Sequence, residues 1–141
     1  MPGVVSQAVF DSERGLLYAV DSGNNRIVAL NPAAGSDGGP IEPNYDGTVQ
    51  RYVNGGSLTT LVDGAAVGLV TPAGLDLHQG VLYVTDNATG KVHGFSRDGD
   101  WLDWVDLNLP SGSLNGIAID SSGKLFVVDS KTNEVLRLSQ P

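Results

Sequence analysis

The chain repeats itself, and a fixed internal period constrains the fold of a sequence more tightly than its composition does. Three segments align without internal gaps: Gly15–Leu30, Gly80–Phe95 and Gly123–Leu138. In each, the leading glycine lies six positions before an aspartate (Asp21, Asp86, Asp129). An aromatic ring lies three positions before that aspartate (Tyr18, Tyr83, Phe126), and a charged side chain lies five after it (Arg26, Lys91, Glu134). Length varies only in the turn before the glycine, which reads Asp11-Ser-Glu-Arg-Gly15, His78-Gln-Gly80 and Asp120-Ser-Ser-Gly123. Variation confined to a turn is what a hairpin tolerates.

Asp86 and Asp129 are about 43 residues apart, a spacing that suits a four-stranded propeller blade of ~40–45 residues. Asp21 and Asp86 are further apart, so the first unit carries an insertion at roughly residues 33–57, where a surface loop accommodates it. Each unit reads as strands a to d: strand a as in Gly116–Ile119, strand b as in Leu125–Val128, strand c as in Val135–Leu138 and strand d as in Trp101–Leu107. These runs are rich in Val, Ile, Leu, Tyr and Phe and keep no helical period. The expected fold is all-β: three β-propeller blades of four antiparallel strands, half of a six-bladed ring. The expected boundaries are about 4–70 for blade 1, 71–113 for blade 2 and 114–141 for an incomplete blade 3, within one domain spanning 1–141. The 19 glycines and 7 prolines recur between apolar runs, so they punctuate hairpins instead of signalling disorder.

Charge narrows the partners. With 16 acidic and 8 basic side chains the formal net charge is -8, and no cluster of Lys or Arg interrupts it. Phosphate backbones and anionic membranes are repelled, so nucleic acid is excluded as the expected partner, while a cation, a sugar or a protein surface stays open. The absence of cysteine rules out disulfides and thiolate metal sites and leaves the redox compartment undetermined. No apolar run is long enough to span a membrane, and Met1–Val5 has no signal-peptide character. A soluble protein is expected, its compartment undetermined, with an extracellular or periplasmic setting compatible.

Asp21-Ser-Gly-Asn-Asn-Arg-Ile27 resembles the signature turn of the NHL repeat, and Thr71-Pro-Ala-Gly-Leu75 and Leu114-Asn-Gly-Ile-Ala118 resemble its entry motif. The likeness covers about 90 of the 141 residues and departs at Glu134, where the family prefers a basic residue. It implies a propeller that presents face loops to a protein or glycan. Leu114-Asn115-Gly116-Ile-Ala118 is also similar to the pentad that carries a metal-binding Asn in gluconolactonase-like propellers, which implies a divalent-metal-dependent hydrolase as the alternative.

The repeated residues have simple readings. Asp21, Asp86 and Asp129 accept backbone N–H bonds in their own b-to-c turns, and Tyr18, Tyr83 and Phe126 fill the space between blades. Arg26 and Lys91 act as solvated partners of turn carboxylates. Asp76 breaks the pattern, because the other units place Val9 and Ala118 there, and a carboxylate on an innermost strand requires a hydrogen-bond partner, a cation or channel water. Asp76 and Asn115, from adjacent blades, are therefore the candidate metal ligands, with calcium or another divalent cation as the one cofactor considered. In the insertion, Asp37, Glu42, Asn44, Tyr45 and Asp46 form a candidate partner loop whose oxygens suit calcium without matching an EF-hand spacing, and Thr48–Val53 reads as an extra strand. His78 falls in a turn and His93 on an exposed face of strand c, and neither has the company catalysis needs.

Three blades do not close a ring, and open edges invite association. Either a longer chain supplies further blades, or two copies close head to tail with Val4–Gln7 of one completing the last blade of the other. The leading expectation is a non-enzymatic unit of binding or assembly.

Overall fold

The computed structural model describes residues 5–31 and 57–138. The partner-loop residues Asp37, Glu42, Asn44, Tyr45 and Asp46 and the strand expected at Thr48–Val53 lie outside the described residues.

Eleven strands form three antiparallel sheets. The first runs β1(Val5–Asp11), β2(Leu16–Asp21), β3(Arg26–Asn31) and β4(Ser57–Asp63), in that spatial order. A one-turn helix, α1(Gly64–Val67), leads to the second: β5(Pro72–His78), β6(Val81–Asp86), β7(Lys91–Ser96) and β8(Trp101–Asp106). The third is β9(Leu114–Ile119), β10(Leu125–Asp129) and β11(Glu134–Leu138), with no fourth strand among the described residues. These meanders are propeller blades, stacked through their faces.

The repeated turn residues follow from backbone geometry. Gly15, Gly80 and Gly123, each just before or within one residue of a strand b, have φ of 67°, 78° and 89°, a region that side chains other than glycine resist. The residue before each strand c is also left-handed: Asn25 at 50°, Gly90 at 72° and Asn133 at 57°. Asn and Gly are the residues that adopt this conformation at least cost, which is why no branched side chain stands there.

Alternation along the strands gives each blade two faces. Tyr18, Val20, Ile27 and Ala29 of blade 1 pack with Leu75, Leu82, Val84 and Phe95 of blade 2 in one core. Val92 and Tyr83, on the other face of blade 2, pack with Leu125, Val127, Leu136 and Leu138 of blade 3 in a second. Fully burying such a side chain contributes roughly 1.5–3 kcal/mol, so these two interfaces hold the array together. The corresponding face of blade 3 has no such neighbour. Ile27 is 0% exposed and its equivalent Val92 3%, but the third equivalent, Val135, is 68% exposed; Val20 is 0% exposed and Val128 40%. At the other end Ala19, Val28 and Leu30, on the far face of blade 1, are each 1% exposed. The last blade thus exposes the face that the first two bury.

The innermost strands β1, β5 and β9 lie side by side, and one side chain ties all three. Gln7 Nε2 donates to the Ile117 carbonyl at 3.1 Å, and its Oε1 accepts from the Leu75 amide at 3.1 Å. This corrects the expectation of a strand crossing between copies: β1 takes in Val5–Gln7, with Val5 registered against Asp21 of the same sheet, so the segment is already paired within its own blade. No helix among the described residues is long and apolar enough to cross a membrane.

Candidate functional site

The residues that sequence reasoning nominated lie on the inner strands. Asp76, on β5, uses Oδ1 to accept from the Leu77 amide at 2.8 Å and Oδ2 to accept from the Ile119 amide at 2.7 Å. Both carboxylate oxygens are thus engaged, one of them across the gap to blade 3. Asn115, on β9, donates from Nδ2 to Ser130 Oγ at 2.7 Å, while its carbonyl accepts from Thr85 Oγ1 at 2.5 Å. Asp76 meets β9 at Ile119, four residues beyond Asn115, or about 13 Å of extended strand. The two sit at different levels of the inner wall. Among the described residues no three His, Cys, Asp or Glu side chains gather in a group that could hold a metal.

Of the repeated aspartates Asp129 accepts turn amides as expected, whereas Asp21 accepts from side chains and two of the amides that Asp86 holds come from the entry of β5. Asp21 accepts from Asn24 Nδ2 at 3.0 Å and from Arg26 Nε at 2.7 Å. Asp129 accepts from the amides of Lys131 and Thr132. Asp86 accepts from the amides of Val70, Thr71 and Ala88, pinning the entry of β5 to the end of β6. With its oxygens filled by backbone donors, Asp86 does not take up Lys91 as Asp21 takes up Arg26. Lys91 instead sets its ammonium 4.5 Å from the centre of the Trp104 ring, which corrects the expectation of a carboxylate pairing.

His93 also departs from expectation. It is buried, at 4% exposure: Trp101 Nε1 donates to His93 Nδ1 at 3.2 Å, the Phe95 ring stacks 6.1 Å away, and Trp104 is its direct cross-strand neighbour. Burial holds the imidazole pKa below its ordinary value, Lys91 adds to the depression and Asp86 opposes it. A neutral ring that accepts at Nδ1 carries its proton on Nε2, and Nε2 has no hydrogen-bond partner. The sequence marked neither tryptophan as part of a site. The one signal available was the density of Trp, Leu and Val on a strand shared with aspartates.

A cavity of about 610 Å³ opens between blades 2 and 3, lined by Val81, Tyr83, Val92, Trp104 and Val105 from blade 2 and by Leu125 and Leu138 from blade 3. Its floor is shallow in side chains because Gly94 stands where blade 1 has Ala29. At the first blade interface Val62 of β4, paired with Ile27 as Val105 is with Val92, is buried in the core, whereas blade 3 brings no fourth strand to the second interface among the described residues.

A polar network joins the turn ends of blades 1 and 2. Asp11 is 2% exposed and accepts from Tyr18 Oη at 3.0 Å and Arg97 Nη1 at 3.2 Å, and Arg97 also reaches Glu13 at 2.9 Å. Burial pushes the Asp11 carboxyl up, but the Tyr18 hydroxyl, the Arg14 amide and the Arg97 guanidinium together hold it below its ordinary value. The same burial and the Asp11 carboxylate push the Tyr18 phenol up to about 12.

A comparison with protein-family models and with curated protein sequences finds no match. Among solved structures the chain is similar to a luciferin-regenerating enzyme, with a TM-score of 0.69 at 14% identity over 97% of this chain and 45% of that one. It is also similar to virginiamycin B lyase from Staphylococcus aureus, with a TM-score of 0.59 at 14% identity over 98% of this chain and 42% of that one. At that identity the likeness is one of fold, a β-propeller, and the chain spans less than half the length of either protein.

Proposed function

We propose that this chain is an assembly unit of an NHL-type propeller, whose work is to bind a further copy or further blades through the open face of its third blade. The observation that carries the reading is the contrast within one repeat position: Ile27 and Val92 are buried at 0% and 3%, whereas Val135 is 68% exposed. Phe126, Val128 and Val135 make that face apolar, with Arg137 beside Phe126 as its cross-strand partner. Exposed apolar patches with a polar rim are characteristic of association surfaces. In this reading a second copy meets the first tail to tail, through the same face on both, in a two-fold pairing.

Light scattering after size exclusion tests this. The chain is expected to associate as its concentration rises, and Val128→Lys with Val135→Lys is expected to leave a monomer of unchanged fold. A wild-type chain that stays monomeric at every concentration contradicts the proposal.

The rival reading is a gluconolactonase-like, divalent-metal-dependent hydrolase with Asp76 and Asn115 as ligands. In its favour, one of the two similar propellers is named as an enzyme and the other as a lyase; against it, both oxygens of Asp76 are already hydrogen-bonded. A rise in melting temperature with calcium or zinc that Asp76→Ala abolishes would favour this reading over ours.

A further inference from the structure

We infer that the outer edge of blade 2 is a binding platform for neutral, β-linked saccharides, built on Trp101 and Trp104. β8 is exposed along all six of its residues, and the two indoles are 48% and 45% exposed. On a regular strand, residues three apart point to opposite faces. Here the register slips opposite Gly94 and Phe95, so that Trp101 lies against Phe95 and Trp104 against His93. That bulge puts both rings on one face of the sheet, the use to which bulges are often put. Phe95 and His93 are two residues apart on a shared face, which spaces the two tryptophan positions by about 7 Å along the strand.

Both rings are held in place before any ligand arrives. Trp101 is tethered by its bond to the buried His93, and Trp104 by the Lys91 ammonium over its ring. Surfaces ordered in advance lose less entropy on binding. The electrostatics select the ligand. An indole face is negative at its centre and attracts the polarised C–H groups that an equatorial pyranose presents on its flat side. Lys91 and Asp106, directly paired across β7 and β8, supply a donor and an acceptor for hydroxyl groups beside the rings. A chain of net charge -8 disfavours anionic sugars, and an apolar protein surface would have to strip water from Lys91 and Asp106 to cover the rings. A neutral, hydroxylated ring meets none of these penalties.

Trp101 and Trp104 are the only two tryptophans in the chain, so indole emission reports on this site alone. The full chain is titrated with cellohexaose and with chitohexaose. The expected result is a saturable blue shift with one or both, with a Kd of about 1 mM or tighter. Trp101→Ala, read through Trp104, and Trp104→Ala, read through Trp101, are each expected to weaken binding at least tenfold, and Trp101→Tyr to stay within about threefold of wild type because a ring remains. The tyrosine variant keeps the test decisive if either alanine variant unfolds. No saturable shift with either sugar overturns the inference, as does equal affinity in the alanine variants. Emission that tracks protein concentration and ignores sugar also overturns it, since a second copy would then cover the rings. The Val128→Lys, Val135→Lys chain is expected to bind sugar like wild type, which separates this inference from the assembly reading.

Discussion

At position 93 the blade carries a histidine where its neighbours carry Val28 and Leu136, and the exchange works because a tryptophan reaches back to satisfy it. The bond from Trp101 Nε1 requires an unprotonated Nδ1, and burial depresses the imidazole pKa below its ordinary value of 6.5. A depressed folded-state pKa gives stability that is present above the unfolded value, about 6.5, and lost as pH falls through the folded one. The melting temperature is therefore expected to drop between about pH 7 and pH 5, and His93→Leu to flatten that drop. An unchanged slope in the variant would contradict the role given to His93. Other coupled groups titrate elsewhere: the Asp11 contribution fades only as pH falls below its ordinary carboxylate range, and that of Tyr18 between its usual 10 and about 12. The sequence made the turn aspartates legible because each is satisfied by neighbours within its own blade or at the adjoining strand entry. It did not make His93 legible, since the partner that buries it depends on a slip in register.

Among the elements, the inner strands carry a natural control. Gly74 and Gly116 hold the same place in their repeats, yet a Cβ on Gly74 would lie 2.6 Å from the Asn115 carbonyl oxygen and 3.0 Å from Gly116 Cα, whereas one on Gly116 would meet only Val128 Cγ2 at 3.7 Å. The first is clamped between two blades and the second faces the open end. Gly74→Ala is expected to cost about 1–3 kcal/mol through forced overpacking, and Gly116→Ala to cost well under 1 kcal/mol, measured by denaturant unfolding. Equal costs would mean that β9 is covered as fully as β5. Strand order and the b-to-c turns could be read from spacing alone, because glycine and asparagine stand where the backbone is left-handed. The bulge in β8 could not, because a one-residue slip leaves no mark in a strand of mixed Trp, Leu and Asp. Nor could the path of Val5–Gln7, which pairing with β2 decides.

Over the whole molecule, three repeats of one sequence pattern do not make three equivalent blades. Tyr18 is fully buried, whereas Tyr83 and Phe126 at the same repeat position are only partly so, because Tyr83 borders the cavity between blades 2 and 3 and Phe126 has no following blade among the described residues. The repeat number was legible in the sequence, whereas the asymmetry of burial depends on what covers each end and so required the structure. The closing test is amide hydrogen exchange of the intact chain at two concentrations. When dilute, β10 and β11 should exchange far faster than β2 and β3, whose side chains lie in the closed part of the array. When concentrated, protection of β11 should rise in the wild type and stay low in the Val128→Lys, Val135→Lys chain. Protection of β11 equal to that of β3, and indifferent to concentration, would contradict the open third blade.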